Sequence, residues 1–321
     1  AMEAFNEMPA PLKIPSLNPE YIICDSKRDV NIEVVFWYAK KGDEIWLHSF
    51  FLNHSKKYKI YDIESPYGYG GPISNSNDKD FIREVKHEFR NWCKNKNIMV
   101  EFIKFHPLIS NENFYWGKYL FNRKTVVINL KKILIEEYLP RRRTDVKSSR
   151  KNKYELSKAI DLKTKNEFRD LYLENMKNIK AKSFYFFNKK YFNSLFRCHI
   201  SDVWVLKKNN FLIAGVIILQ DKSSKCIEYH LSARNFDFDK ANIDILDKVA
   251  EYYKKNNYNY FYLGGGRSID PKDSLLYFKQ GFSSKYLDFK IGYNIYDTNK
   301  YSDIKNKFFP NIDSTKVLFY K

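Results

Sequence analysis

The chain has 321 residues, which is enough for two domains of ordinary size, and 44% of them are apolar. No run approaches the roughly 18 consecutive apolar residues of a transmembrane helix, and residues 1–15 lack the basic and apolar segments of a signal peptide. We therefore expect a cytoplasmic protein, either free or at the inner face of the membrane. The four cysteines are far apart and form no Cys-x-x-Cys pair, so we expect no bound metal.

The formal net charge of +18 leaves two interpretations open. It is typical of proteins with phosphate-bearing partners, but 44 of the 56 basic residues are lysines spread along the chain, which favours a solvated surface. Arginine is the residue that proteins usually choose for bidentate phosphate contacts. The densest basic cluster is therefore the better candidate for a phosphate site. It contains Arg141, Arg142, Arg143, Lys147, Arg150, Lys151 and Lys153.

The first half of the chain predicts three strands, a loop, a helix and further strands. Apolar residues at helical spacing over residues 78–94 predict the helix. The strands are predicted at residues 31–39, 44–52, 58–63, 98–105 and 125–130. The loop at residues 64–72 combines aromatic residues with glycine, and His106 and Pro107 end the fourth strand.

The second half begins near Pro140 and predicts two helices, a three-strand meander, a helix, a strand, a helix and a strand. The strands are predicted at residues 203–206, 212–219, 227–233, 260–263 and 286–293. Asn242 opens the helix after the meander. The two halves share the order of meander, loop, helix and strand, so we expect two similar α+β domains with mixed sheets, at residues 1–139 and 140–321.

A glycine triplet, Gly264, Gly265 and Gly266, follows the strand at residues 260–263. The following helix is predicted to have Asp270 as its N-cap, Pro271 as its first residue and Gly281 as a left-handed cap at its end. Backbone N–H groups of a glycine loop beside a helix start can approach a phosphate closely. A tight turn without a ligand explains the same pattern.

These segments carry a family resemblance. The segment from Tyr262 to Gly266, followed by Asp273-Ser274-Leu275 and by Phe278-Lys279 before Phe282, resembles the closing motif of FemABX-like proteins. The loop at residues 64–72, the segment Phe105-His106-Pro107-Leu108, the basic segment at 138–158 and the strand end at 229–233 resemble other parts of that family. The resemblance covers most of residues 30–293. It implies two tandem GNAT domains, with the C-terminal tail returning to the first one, and an aminoacyl or acyl transferase activity.

Two departures from the family pattern concern the donor substrate. Standard GNAT domains that use acetyl-CoA have a glycine-rich turn before the helix that receives the pyrophosphate. Residues 234–239 have no glycine and contain two carboxylates, which argues against a standard coenzyme A site. No long heptad pattern predicts the coiled-coil arm that some family members have. Both aminoacyl-tRNA and acyl-CoA stay open as co-substrates, and we expect no tightly bound cofactor.

The resemblance implies roles for residues near the end of the second domain. Lys279 would stabilise the charge that develops on the acyl carbonyl, and Phe278 would lie beside the donor. Gly264, Gly265, Gly266, Asn242 and Arg267 complete the expected donor site. His230 is a candidate base, since strand alternation places it on one face with Glu228 and Ser232. Tyr277 is a candidate acid, although a structural role is more common for both residue types.

The expected acceptor site lies elsewhere in the chain. It consists of Tyr67, Gly68, Tyr69, Gly70, Gly71, His106 and Arg150. Its aromatic and glycine residues suit a nucleotide- or lipid-linked sugar of a peptidoglycan or surface-polysaccharide precursor, whose amine would accept the group. No Ser/His/Asp or Cys/His spacing predicts a covalent intermediate, so we expect direct transfer.

Further partners follow from the charge. Charged tRNA and an anionic membrane face are candidates, and no metal is expected. The alternative function is a non-catalytic tandem-GNAT module that binds a polyanionic envelope precursor or a nucleic acid. The excess of lysine over arginine and the absence of a helix-turn-helix or zinc pattern argue against plain nucleic-acid binding.

Overall fold

The computed structural model describes residues 1–270, 272–313 and 316–321. It divides into two compact units, with Ala1–Arg123 and Asp288–Lys321 in the first and Lys124–Leu287 in the second. The strands are β1 (Glu33–Lys41), β2 (Glu44–Ser55), β3 (Ile60–Glu64), β4 (Ile73–Ser74), β5 (Ile98–Lys104), β6 (Lys118–Asn129), β7 (Glu155–Lys158), β8 (Ser201–Lys208), β9 (Phe211–Asp221), β10 (Cys226–Arg234), β11 (Tyr260–Gly265) and β12 (Tyr286–Ile295). The α-helices among these residues are α1 (Met2–Glu7), α2 (Pro19–Asp25), α3 (Lys79–Asn95), α4 (Leu134–Glu137), α5 (Pro140–Arg150), α6 (Leu162–Asn178), α7 (Lys189–Arg197), α8 (Ala241–Lys255), α9 (Ser274–Gln280) and α10 (Thr298–Phe308).

The sheet of the first unit begins with the predicted meander. Strands β1, β2 and β3 pair antiparallel in that order, and β5 pairs parallel to β3 after the crossover through α3. Helix α3 begins after Asp78, whose carboxylate accepts hydrogen bonds from the backbone N–H groups of Asp80 and Phe81. Its buried face packs Phe89 and Cys93 against Phe50, Ile63 and Ile103 of the sheet.

The sheet of the second unit repeats this plan. Strands β7, β8, β9 and β10 pair antiparallel in order, and β11 pairs parallel to β10 after the crossover through α8. Its core joins Val216 and Ile218 of β9 with Leu246 and Val249 of α8 and with Phe282. The predicted α+β fold, with the same order of meander, crossover helix and parallel strand in each unit, is confirmed.

The last strand of each sheet comes from the other half of the chain. Residues 291–295 of β12 pair antiparallel with β5 in the first unit, whereas residues 125–129 of β6 pair antiparallel with β11 in the second. The predicted domain boundaries instead assign each of these strands to the domain of its own half of the chain. The compact units accordingly divide between Arg123 and Lys124 rather than after residue 139, and residues 288–321 lie in the first unit. Alternation of apolar residues identifies a strand but not its partner.

The C-terminal segment packs on the first unit. Val317 and Phe319 are buried with Ile60 and Met99. The ammonium group of Lys321 lies 2.7 Å from Asp62 and 2.9 Å from Glu64. Along the part of the chain that the structure describes, no helix is both long enough and apolar enough to span a membrane.

Helix α9 begins later than predicted. Its N-cap is Asp273, which accepts hydrogen bonds from the N–H groups of Leu275 and Leu276, so Asp270 does not cap it. Pro271 lies outside the described residues. Gly281 has φ of −56° and ψ of −30°, so it does not adopt the predicted left-handed conformation.

Candidate functional site

A cavity of about 380 Å³ lies in the second unit where β10 and β11 separate. The two strands pair only from Cys226 to Glu228 and from Tyr260 to Tyr262, after which β10 continues to Arg234. The cavity is lined by Asn175, Ile179, Tyr229, Ser232, Ala233, Arg234, Phe236, Asn242, Ile245, Leu246, Arg267, Ser274, Leu275 and Phe278. Its wall is therefore mostly apolar, with two guanidinium groups, which is typical of a site for a mixed polar and apolar ligand.

Lys279 lies beside this wall and is only 6% exposed. Its Nζ donates a hydrogen bond of 2.8 Å to the carbonyl oxygen of Gly265 and lies 5.1 Å from the ring centroid of Tyr229. Burial lowers the pKa of Lys279 to about 7, against the opposing effect of the Asp273 charge. Near neutral pH this lysine is therefore divided between its charged and neutral forms.

The glycine triplet shapes this position but does not form an open phosphate loop. Gly264 has φ of +75° at an irregularity where the pairing of β11 with β6 shifts, and Gly265 still pairs with β6. A Cβ on Gly266 would lie 2.4 Å from Oδ1 of Asp273, so only glycine fits beneath the helix cap. The triplet thus brings the Gly265 carbonyl to Lys279.

Asp273 connects this loop to α9. In addition to capping the helix, its Oδ2 accepts hydrogen bonds from the N–H groups of Arg267 and Ser268 at 3.0 Å. Burial raises the pKa of Asp273, but these backbone hydrogen bonds outweigh it and hold the pKa below its usual value. The Arg267 side chain donates to the hydroxyl of Ser274 and lines the cavity.

Arg142 holds the opposite end of α9. Its guanidinium is buried, donates 2.9 Å to the carbonyl of Phe278 and lies within 5 Å of the ring centroids of Phe278 and Phe282. A Cβ on Gly281 would lie 2.6 Å from its Nε. Burial lowers the pKa of Arg142 to about 10, against the effect of Asp145. A cation at the C-terminal end of a helix stabilises the exposed carbonyls, so Arg142 fixes the turn that carries Lys279.

The four arginines of the basic cluster make contacts within the protein, and the phosphate site expected at this cluster stays a prediction. Arg141 lies 3.8 Å over the ring centroid of Tyr277, and Arg143 donates to the carbonyls of Tyr138 and Glu136. Arg150 pairs with Asp247 of α8 at 2.8 Å and belongs to the second unit. Tyr277 is 57% exposed, so it does not have the structural role in the core that is more common for a tyrosine.

His230 lies in a β-bulge, where the pairing of β10 with β9 shifts between Tyr229 and Leu231. Its Nε2 lies 2.7 Å from the hydroxyl of Tyr191 on α7. Because of the bulge, Ser232 contacts Tyr229 through their hydroxyl groups, and both residues line the cavity. The prediction that Glu228, His230 and Ser232 share one face is therefore wrong.

The predicted acceptor loop is rigidly held in the first unit. The N–H of Tyr67 donates 2.6 Å to Asp25, and its carbonyl accepts 2.7 Å from the hydroxyl of Tyr21. The N–H of Gly70 donates to the carbonyl of Lys104. Gly71 has φ of +93°, and a Cβ there would lie 2.9 Å from Ile103. Gly70 and Gly71 are buried packing positions, whereas Tyr67, Gly68 and Tyr69 are partly exposed.

His106 is fully buried beside this loop. Its Nδ1 accepts a hydrogen bond from the N–H of Leu108, and its ring contacts Tyr69 edge to face at 4.7 Å between centroids. The histidine therefore positions the Tyr69 ring. Contact between His106 and an acceptor stays a prediction.

The structure brings together one group of the predicted residues. Phe278, Asn242 and Arg267 line the same cavity, and Lys279 lies against Tyr229 in its wall. His230 and Tyr277 do not line it. Among the described residues, no cluster of three or more His, Cys, Asp or Glu side chains could hold a metal ion.

The role of Arg142 as a buried anchor of α9, and the places of Tyr229, Ser232 and Arg234 at the cavity, were not predicted from the sequence. One signal could have revealed the first. Tyr138, Arg142, Val146 and Ser149 recur at helical spacing, and all four are buried. An arginine on such a stripe must be paired inside the protein. The bulge that brings Tyr229 and Ser232 together leaves no sign in the strand pattern.

No protein-family model matches the chain, and no curated protein matches it in sequence. The structure is similar to that of FemX, with a TM-score of 0.73, 11% identity and coverage of 95% of this chain and 97% of FemX. The chain therefore has the fold seen in FemX. The expectation from the motifs is thereby confirmed at the level of the fold.

Two lysylphosphatidylglycerol synthetase structures are also similar. The C-terminal domain of a putative enzyme from Agrobacterium fabrum gives a TM-score of 0.60 at 10% identity, over 90% of this chain and 92% of that one. The L-PGS structure from Bacillus licheniformis gives 0.59 at 13% identity, over 88% and 93%.

Replacing Lys279 with methionine tests its burial. The native pKa of about 7 lies below the ordinary 10.5, so the unfolded chain holds the proton between these values while the native state releases it. We expect the methionine variant to be more stable below pH 7. The wild type should regain about 1.4 kcal/mol per pH unit relative to it as the pH rises from there toward 10.5. Urea unfolding across this range measures the difference. Lys285→Met, at an exposed lysine, is the control. If its stability difference from the wild type changed with pH by the same amount, burial of Lys279 would not be the cause.

Replacing Arg142 with lysine tests the helix clamp. A lysine cannot stack between two rings while donating to the Phe278 carbonyl, so we expect a loss on the order of 3 kcal/mol in the free energy of unfolding. Arg141→Lys is the matched control, since the exposed contact with Tyr277 contributes at most about 1 kcal/mol. Equal stability of the two variants in urea unfolding would refute the clamp.

Proposed function

We propose that this protein transfers an aminoacyl or acyl group onto an amine of a peptidoglycan or surface-polysaccharide precursor. The observation that carries the proposal is Lys279, a buried lysine with a pKa of about 7 against the wall of a cavity in a GNAT-like unit. The fold shared with FemX and with lysylphosphatidylglycerol synthetases supports the reaction class.

In the proposed reaction, the neutral acceptor amine attacks the carbonyl carbon of the donor ester or thioester. A C–N bond forms, the C–O or C–S bond breaks, and the amine proton passes to the leaving oxygen or sulfur. Negative charge develops on the carbonyl oxygen in between. Protonated Lys279 stabilises that oxygen when Nζ exchanges the Gly265 carbonyl for it. Because Lys279 is little exposed, few water molecules compete for the negative charge on the carbonyl oxygen, and the interaction is stronger.

The turn before α8 bears on the donor. The N–H groups of Asn235, Phe238 and Ala241 donate to backbone carbonyls, and that of Asp237 donates to the Asn235 side chain. These four N–H groups are already used within the protein, which leaves fewer backbone donors for a pyrophosphate at this turn.

Positive charge at the cavity comes instead from the guanidinium groups of Arg234 and Arg267. Two arginines beside an apolar wall suit the last phosphodiester and the aminoacyl ester of a charged tRNA. We therefore favour aminoacyl-tRNA over acyl-CoA as the donor. On the acceptor side, the partly exposed Tyr67, Gly68 and Tyr69 are the proposed contacts of the precursor's sugar.

The transfer assay offers labelled aminoacyl-tRNA and labelled acetyl-CoA in competition to a cell-envelope precursor fraction. We expect label from the aminoacyl-tRNA in the precursor, a rate that falls as the pH rises through about 7, and a loss of about 100-fold or more with Lys279→Ala. Lys279→Arg keeps its charge and should lose this pH dependence in whatever activity it retains. His230→Gln, which alters the bulge contact with Tyr191, is the matched control and should retain most of the rate.

Two results would contradict the proposal. A rate that rises through pH 7 and depends on Lys279 would make this lysine a neutral base instead of a charge stabiliser. No transfer from either donor, with folded wild-type protein, would favour the non-catalytic binding module.

A further inference from the structure

The segment at residues 177–190 joins α6 to α7 and includes the last two residues of α6 and the first two of α7. It contains five lysines, at positions 177, 180, 182, 189 and 190, and no acidic residue. It also exposes three bulky apolar side chains, with Ile179 at 39%, Phe184 at 52% and Phe186 at 38%. We refer to residues 177–190 as the Phe184 loop.

The inner side of the Phe184 loop is firmly anchored. The carbonyl of Tyr185 accepts a hydrogen bond of 3.0 Å from the hydroxyl of Tyr172, and the N–H of Ala181 donates 2.9 Å to the carbonyl of Met176. Phe187 is buried and contacts Tyr191, with 4.7 Å between ring centroids. The apolar side chains on the outer side are therefore held in place by a fixed backbone, and their exposure does not come from a loose end of the chain.

We propose that the Phe184 loop binds the surface of a membrane that contains anionic lipids. Phenylalanine and isoleucine bury their side chains at the boundary between headgroups and acyl chains, while lysines extend their ammonium groups to lipid phosphates. A cluster of four to eight basic residues is the sequence pattern associated with anionic lipid surfaces. Five lysines without a carboxylate match this pattern in sign and number.

A bilayer explains the loop better than a nucleic acid does. Proteins that bind RNA usually read it with arginine and with polar side chains between stacking aromatics. The Phe184 loop contains no arginine, and the exposed Ile179 has neither a flat ring for stacking nor a hydrogen-bonding group. Ile179 and Asn175 also line the cavity, so membrane binding would place the cavity next to the lipid headgroups. Membrane binding by the Phe184 loop does not depend on the transfer reaction proposed above.

Vesicle co-sedimentation tests the proposal with the full chain. We expect binding to phosphatidylcholine vesicles that contain about a third phosphatidylglycerol, and little binding to phosphatidylcholine alone. Phe184→Ala/Phe186→Ala should weaken binding about tenfold or more through lost apolar burial. Lys180→Gln/Lys182→Gln should weaken it about 30-fold at low salt through lost charge.

Matched controls lie on other surfaces. Phe211→Ala/Phe308→Ala removes two phenylalanines of similar exposure, and Lys56→Gln/Lys57→Gln removes two exposed lysines, so both should bind vesicles like the wild type. Unchanged melting temperatures exclude misfolding in each variant. Equal binding to neutral and anionic vesicles, or full binding by the phenylalanine variant, would overturn the proposal. If tRNA without an attached amino acid displaces the protein from the vesicles, and the phenylalanine change has no effect on vesicle binding, the loop is a nucleic-acid site instead.

Discussion

The proposed site depends on the burial of one ammonium group, that of Lys279. Lys279 has lost nearly all its water, and the carbonyl of Gly265 is the hydrogen-bond partner that the structure shows for it. Such a group is costly to keep charged, and the lowered pKa of Lys279 expresses that cost. A protein without a use for this lysine would gain stability from an apolar residue there. A lysine that occupies a position where it destabilises the fold is typical of a functional site.

The surrounding structure is arranged to hold this position. Asp273 fixes the start of α9 and the glycine loop together, while Arg142 holds the last turn of the same helix. Gly266 and Gly281 make room for these two side chains. A helix of seven residues that is held at both ends can present a lysine against the cavity wall with little freedom to move.

The sequence was informative where local chemistry decides the structure. Helix α3 and the repeated meander were predictable from spacing. The family resemblance placed Phe278, Asn242 and Arg267 in one donor site, and the structure shows all three lining one cavity. The exchange of β6 and β12 between the two sheets was not, since both strands alternate alike and their partners depend on tertiary pairing. The bulge at His230 and the burial of Arg142 also depend on packing. The resemblance already placed Lys279 before His230, and the structure adds that Lys279 lies against Tyr229 in the cavity wall.

The most direct measurement is the titration of Lys279 itself by NMR, using protein labelled at the lysine side chains. The Lys279 signal is identified as the one missing from Lys279→Arg. We predict a midpoint near pH 7, whereas an ordinary lysine titrates near pH 10.5. A midpoint close to that ordinary value would show that the ammonium is hydrated or paired, and the proposed carbonyl-stabilising site would lose its physical basis.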